Sequence, residues 1–428
     1  MNKSSYKVSD LGEKELINRI ITKNRECSSL VCDFSSNFSS TDFKTTIGDD
    51  CGLISHNLNE FSYLVTTSDM LIQSTHFPKA MSYYQMGYKS VVVNVSDLAA
   101  MGAKPIGLVL SLAIPKDLLL DDFDELICGV IGACNDYNIP LIGGDTNEAD
   151  QIIISATAFG EVNKDKALMK YGFNIGDLVA VTGEIGLAAL GFELLNNPRK
   201  LEKARGIDSS FVDLAIFKAL KPKACQDESY ILAKYNNKKN YTNSKSFHTS
   251  SRYNISATDI TDGLASELYE LLERDMQFNT SNLKEPNMKF NTGNLNIKEC
   301  DMQFNTSNLN QDSNLPKYSK SILLYEDSLP IEDEFKKIAT AIGCDYLDLF
   351  FHVGEDFELL FTVPKELVSF LKEELDFFII GEIVENKVEN ELIEESNSDN
   401  KINNFTLEMV LSNNNIITID SKGYEHLI

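Results

Sequence analysis

Acidic residues recur where apolar segments of this chain end. Gly48-Asp49-Asp50 follows a Thr/Ile run, and Thr67-Ser68-Asp69 closes an apolar stretch. Asp97 stands inside the apolar run VVVNVSDLAA, Asp145 follows Gly143-Gly144, Asp259 and Asp262 flank Thr261, and Glu355-Asp356 precede Leu359 to Val363. One such acid is as readily a helix cap or a turn residue. Their recurrence points to loops at strand ends, where α/β proteins build sites. Carboxylates brought together repel unless cations hold them. Hard oxygen ligands suit Mg²⁺, and Mg²⁺ commonly serves phosphate substrates. Asp97 is the hardest to read as a surface residue, because an acid among Val, Leu and Ala needs a partner.

The cations support a metal. No arginine occurs between Arg25 and Arg199, so most of these acids share a segment without a bidentate guanidinium clamp for phosphate. Lys89, Lys104 and Lys170 are the nearest basic candidates. The phosphate-cradling G-x-x-x-x-G-K-[ST], the G-x-G-x-x-G turn and the H-R-D and D-F-G pair are missing. The histidines His56, His76, His248, His352 and His426 never pair at zinc spacing.

These residues need elements to hold them. Phe61 to Thr67, Ile106 to Ile114, Ile139 to Ile142, Gln151 to Val162 and Leu178 to Val181 read as strands. Met81 to Met101, Asp117 to Tyr137 and Leu187 to Leu195 read as helices, giving an α/β or α+β protein. With 428 residues, two or three domains are expected. Residues 236–254, 275–320 and 385–404 read as polar, low-complexity inserts. The second carries DMQFNTSNL twice, from Asp275 and from Asp301. These copies are too short and polar to stack as a solenoid. A net charge of -25 argues against nucleic-acid and anionic-membrane partners. No run is long enough to span a bilayer, the first residues lack a signal-peptide core, and the eight cysteines show no C-x-x-C, so a cytoplasmic protein with reduced thiols is expected.

The chain resembles the thiamine-monophosphate kinase family, within the aminoimidazole ribonucleotide synthetase-like superfamily. The resemblance rests on IGDDCGLI (Ile47 to Ile54), TTSDMLIQSTHF (Thr66 to Phe77), GYKSVVVNVSDLAAMGAKP (Gly87 to Pro105) and LIGGDTN (Leu141 to Asn147). It continues through GDLVAVTGEIGLAALGFELL (Gly176 to Leu195), ATDITDGLASEL (Ala257 to Leu268), GEDFELLFTVP (Gly354 to Pro364) and GYEHL (Gly423 to Leu427). Each motif is weak alone; eight in family order are specific.

The resemblance implies a two-domain fold, residues 1–166 and 167–428, paired as a homodimer through the first domain. It implies transfer of the ATP γ-phosphoryl group to thiamine phosphate, with several Mg²⁺ ions and no general base. It implies a cluster of Asp50, Thr67, Ser68, Asp69, Asp97, Asp145, Asp259 and Asp262. Gly144, Asp145, Lys170 and Thr261 would contact ATP, and His76, Glu355 and Tyr424 would line the thiamine phosphate site. Lys170 stands where the family usually has Arg, keeping the charge without the fork. Glu148 and Val353 also depart from the usual pattern. Two rival readings remain: a sister synthetase that releases free phosphate, and a non-catalytic nucleotide-binding relative.

Overall fold

The computed structural model describes residues 7, 19–20, 22–23, 61–236, 253–282, 320–386 and 405–421. Asp50 and Tyr424 lie outside the described residues, as do residues 237–252, 283–319 and 387–404 of the polar inserts.

The first sheet comprises β1 (Ser62–Ile72), β2 (Lys104–Ile114), β3 (Leu141–Glu148) and β4 (Ile153–Asn163), in the order β1-β4-β2-β3. Only the β2–β3 pair is parallel. A short helix α1 (Gln73–His76) follows β1, and two long helices, α2 (Tyr83–Ala100) and α3 (Leu120–Asp136), cover one face. Ser82 starts α2 with a capping box, accepting from Gln85 N while the Gln85 side chain accepts from Ser82 N. The helices meet through a glycine notch. A Cβ on Gly87 would sit 2.0 Å from Leu126 O, and one on Gly129 would sit 1.9 Å from Tyr84 O. Val91, Val95, Leu98, Phe123 and Leu126 are fully buried between helices and sheet. The sheet's other face carries exposed apolar side chains, Leu64 at 48% and Met70 at 57%.

The second sheet has seven strands: β5 (Leu178–Val181), β6 (Ser256–Asp259), β7 (Lys320–Tyr325), β8 (Leu359–Val363), β9 (Phe378–Glu385), β10 (Leu407–Val410) and β11 (Ile416–Thr418). Their order is β11-β10-β7-β9-β5-β8-β6. Between β5 and β6 lie α4 (Leu187–Asn196), α5 (Pro198–Arg205), α6 (Ser209–Leu220) and α7 (Gln226–Tyr235). Then come α8 (Leu264–Asn282), α9 (Asp333–Ile342), α10 (Tyr346–Phe351) and α11 (Val368–Leu371). Separate apolar clusters pack around this sheet, one with Leu264, Leu268 and Phe350, another with Leu232, Phe361 and Leu371. Helix α2 touches the first sheet, β6 and α7, so it is buried on nearly every side. Among the described residues, no helix is long and apolar enough to cross a membrane.

Three expectations are corrected. Thr67-Ser68-Asp69 does not end β1 but lies within it, because pairing with β4 continues to Ile72↔Ile153. Gly143 to Thr146 likewise lies inside β3, held by β2 up to Ile114↔Glu148. The first copy of the repeat is not insert: residues 275–282 form the last turns of α8. Asp275 is fully buried there and accepts from Gly172 N at 2.7 Å, Lys320 Nζ at 2.7 Å and Asn279 Nδ2 at 2.9 Å. That satisfied polar cluster lets an Asn- and Thr-rich segment pack as helix.

Candidate active site between the two sheets

Four acids meet where β1, α2 and the β6–α8 turn converge. The pleat of β1 sends Thr67 and Asp69 to the helix-covered face. There Thr67 Oγ1 donates to Asp97 Oδ2, which answers the need for a partner inside an apolar helix. Asp69 shares a hydrogen bond with Asp97; burial, then the Asp97 charge, pushes its carboxyl up to about 6. Burial also raises Asp97, against the opposing pull of the Thr67 hydroxyl and the Lys170 charge. Asp259 ends β6 beside α2, and burial followed by the Asp97 charge raises it to about 7. Its Oδ2 is buried without a hydrogen-bond partner. Asp262 lines the same cavity as Asp69 and Asp97 and adds to the repulsion on Asp69.

This cavity, about 710 Å³, lies between the sheets. Its walls also include His76, Phe77, Lys79, Thr261 and Glu355. Two loops of the second sheet are zipped together at its edge. Glu355 N donates to Thr261 O at 2.8 Å and Phe357 N to Ile260 O at 3.0 Å. Gly354 is required between them, since a Cβ there would sit 1.7 Å from Thr261 O. Glu355 takes the left-handed φ of 68° and turns its carboxylate toward α2. Lys89 receives it, with Nζ at 2.7 and 2.6 Å from the two carboxylate oxygens and 2.9 Å from His76 O. His76 Nδ1 lies 2.9 Å from Ile72 N, which anchors the ring at the end of β1.

Sequence reasoning named Lys89 only as a basic candidate and missed this role. Its signal was a lysine inside the apolar run of a buried helix. Lys79, at the cavity wall, was also missed, and nothing in its sequence context marks it.

Other expected residues do not reach this cavity. Ser68 and Asp145 project from the opposite face of the first sheet, where Ser68 Oγ bonds Thr157 Oγ1 at 2.8 Å. Gly144 sits against β2, where a Cβ would meet Leu110 O at 2.0 Å, so strand packing alone demands glycine. Lys170 Nζ is 2.6 Å from Glu270 Oε2 and 3.8 Å from Glu267 Oε2. Burial opposes its charge, but these carboxylates and Asp259 outweigh burial and raise its pKa.

The acids fit a hard divalent cation. Burial pushes Asp69, Asp97 and Asp259 toward protonation, and the Asp97 charge adds to this at Asp69 and Asp259, a penalty that a cation removes. Among the described residues no three His, Cys, Asp or Glu side chains close around one point. Mg²⁺ is suited to such a site, because it is commonly held by one or two carboxylates with water and phosphate completing the shell.

The fold and this acid-lined cleft define a protein of the AIR synthase-related class; that family, described as AIR synthase related protein, N-terminal domain, matches residues 48–162. The chain is 32% identical to the thiamine-monophosphate kinase of Pyrococcus abyssi over 342 residues, 79% of this chain and 83% of the relative. Against the enzyme of Pyrococcus horikoshii the identity is 30%, covering 79% and 83%. The solved thiamine monophosphate kinase of Aquifex aeolicus superposes with a TM-score of 0.54 at 26% identity, covering 76% of this chain and 86% of that one. The chain belongs to the thiamine-monophosphate kinase family.

Proposed function

We propose that this chain transfers the γ-phosphoryl group of ATP in line to thiamine phosphate, giving thiamine diphosphate. Family membership supports the reaction. The observation that carries the site is the single cavity shared by Asp69, Asp97 and Asp262 on one side and His76 and Glu355 on the other. Asp69, Asp97, Asp259 and Asp262 would hold Mg²⁺, with the Thr67 hydroxyl steadying Asp97. Bound there, Mg²⁺ supplies positive charge that lets two phosphates approach. The chain's residues supply alignment. Thr261 borders the ATP side, and Glu355, fixed by Lys89, meets thiamine phosphate beside His76. A phosphate monoester is largely dianionic at pH 7, so no side chain has to take its proton.

The open face of the first sheet supports a homodimer. Its exposed Leu64 and Met70 suit a second copy, and Ser68 and Asp145 would then lie at the seam between copies. A division at residues 166 and 167, between β4 and β5, fits two separately packed sheets. A cytoplasmic setting accords with Cys134, Cys225 and Cys344, which are thiols outside any disulfide among the described residues.

The test is purified protein with ATP, Mg²⁺ and thiamine phosphate, with products separated by chromatography. Thiamine diphosphate is expected, and EDTA abolishes it. Release of free phosphate without thiamine diphosphate would overturn the reading in favour of a synthetase.

A further inference from the structure

Helix α4 lays one face along the acid-lined cavity. Phe192 and Asn196 stand four residues apart on it, so they share that face, and both line the cavity. The helix is fixed relative to the loop that carries Glu355. Gly186 N, at its start, donates to both carboxylate oxygens of Asp356, at 3.0 and 3.1 Å. Phe192 in turn flanks the Lys89–Glu355 pair. Lys89 Nζ lies 5.7 Å from the centre of the Phe192 ring and 5.9 Å from that of Phe77. Phe77 is buried in the first core, and Phe192 is half-buried.

An asparagine at a helix boundary ordinarily serves as a cap. Here Asn197 takes that duty, its side chain accepting from Lys200 N at 3.3 Å to start α5. Asn196, the last residue of α4, is exposed, and its amide makes no hydrogen bond among the described residues. An amide holds a carbonyl acceptor and an N–H donor side by side. That pattern matches a ring nitrogen next to an exocyclic amine, the edge by which asparagine pairs with adenine. The Phe192 ring on the same helix face suits the flat face of the heterocycle that carries such an edge.

We propose that Phe192 and Asn196 read the aminopyrimidine ring of the acceptor, Phe192 by stacking and Asn196 by paired hydrogen bonds to a ring nitrogen and its neighbouring amine. The inference rests on the thiamine phosphate reading above and assigns that substrate two contacts on α4. The adenine of ATP carries the same kind of edge. The acceptor is favoured because Phe192 adjoins Lys89, which holds Glu355, on the side of the cavity that meets thiamine phosphate.

The test measures KM and kcat for thiamine phosphate and for ATP, with the full chain and Mg²⁺, in wild type, Asn196→Ala and Phe192→Leu. Asn196→Ala should raise KM for thiamine phosphate about tenfold and leave KM for ATP unchanged. Phe192→Leu should raise the same KM by a similar factor. A thiamine phosphate analogue whose ring amine is replaced by hydrogen is then titrated calorimetrically beside thiamine phosphate. Wild type should bind the analogue about tenfold more weakly, and Asn196→Ala should bind both alike, because the variant lacks the group that reads the amine. Unchanged KM for thiamine phosphate in Asn196→Ala, or equal discrimination against the analogue by both proteins, overturns the proposal. A rise in KM for ATP alone overturns it as well, by placing the amide at the nucleotide. Wild type that forms no thiamine diphosphate overturns the reading of the reaction and this inference with it, whereas active wild type beside an indifferent Asn196→Ala overturns the inference alone. Asn196 is exposed at a helix end, so Asn196→Ala is expected to fold.

Discussion

Lys89, whose side chain is 1% exposed in α2, grips both carboxylate oxygens of Glu355, which arrives from the far sheet in a left-handed turn. The pair ties the two halves of the cavity between the sheets together and fixes the carboxylate's direction.

Breaking this pair should be asymmetric. Glu355→Gln leaves a buried ammonium with only neutral acceptors, the amide oxygen and His76 O, and no balancing charge, and should cost about 3 kcal/mol or more. Lys89→Met leaves a carboxylate whose side chain is 30% exposed and should cost less. The double variant should recover part of the loss. Denaturant unfolding of all four proteins measures the coupling, and strictly additive effects would rule out a structural latch. Where Lys89→Met folds, KM for thiamine phosphate should rise more than kcat falls.

Asp97→Asn removes one of the mutually repelling carboxylates. Transfer should fall by about 100-fold or more, in line with lost electrostatic stabilisation. The metal-free protein should be as stable as wild type or more so. Mg²⁺ should raise Tm of wild type, since it binds only the folded state, and should raise that of the variant far less. Equal Mg²⁺ shifts in both proteins would remove Asp97 from the cation site.

Asp356 gives a pH signature away from these acids. Its carboxyl accepts from Gly186 N at 3.0 and 3.1 Å at the start of α4, and burial pushes it up to about 8. The folded state therefore holds a proton that the unfolded chain releases near pH 4. By linkage, stability falls as pH rises from about 4 to about 8 and is level beyond. Asp356→Asn, which mimics the neutral acid, should flatten that slope. Thermal melts at pH 5.5 and 8 decide it, and identical slopes would show that Asp356 is ionised in the fold.

The amino-acid pattern carried the elements well and the facing of residues less well. Apolar spacing located α2, α3, β2 and β4 to within a few residues, because burial imposes the period directly. It misplaced Thr67 to Asp69 and Gly143 to Thr146 as strand ends, since polar residues inside a strand are settled by cross-strand pairing that a linear pattern does not contain. The same pairing sends Asp69 and Ser68 to opposite faces, so a motif of adjacent ligands becomes two surfaces. Lys89 was visible as a charge in an apolar run, but its partner lies 266 residues away. Residues 275–282 read as filler because the partners of the buried Asp275, Gly172 and Lys320, are distant in sequence.

The open sheet face yields the last prediction. Leu64 and Met70 lie on one side of β1, 48% and 57% exposed, on the side away from α2 and α3. Large apolar side chains this exposed on an uncovered sheet face suit a second copy. Wild type should sediment as a dimer at micromolar concentration. Leu64→Glu with Met70→Glu would place four like charges at a two-fold seam and should yield monomers. Neither side chain packs in the first sheet's own core, so the fold, followed by circular dichroism, should persist. A wild-type monomer, or a doubly substituted dimer, would move the interface elsewhere and leave Ser68 and Asp145 without the seam proposed for them.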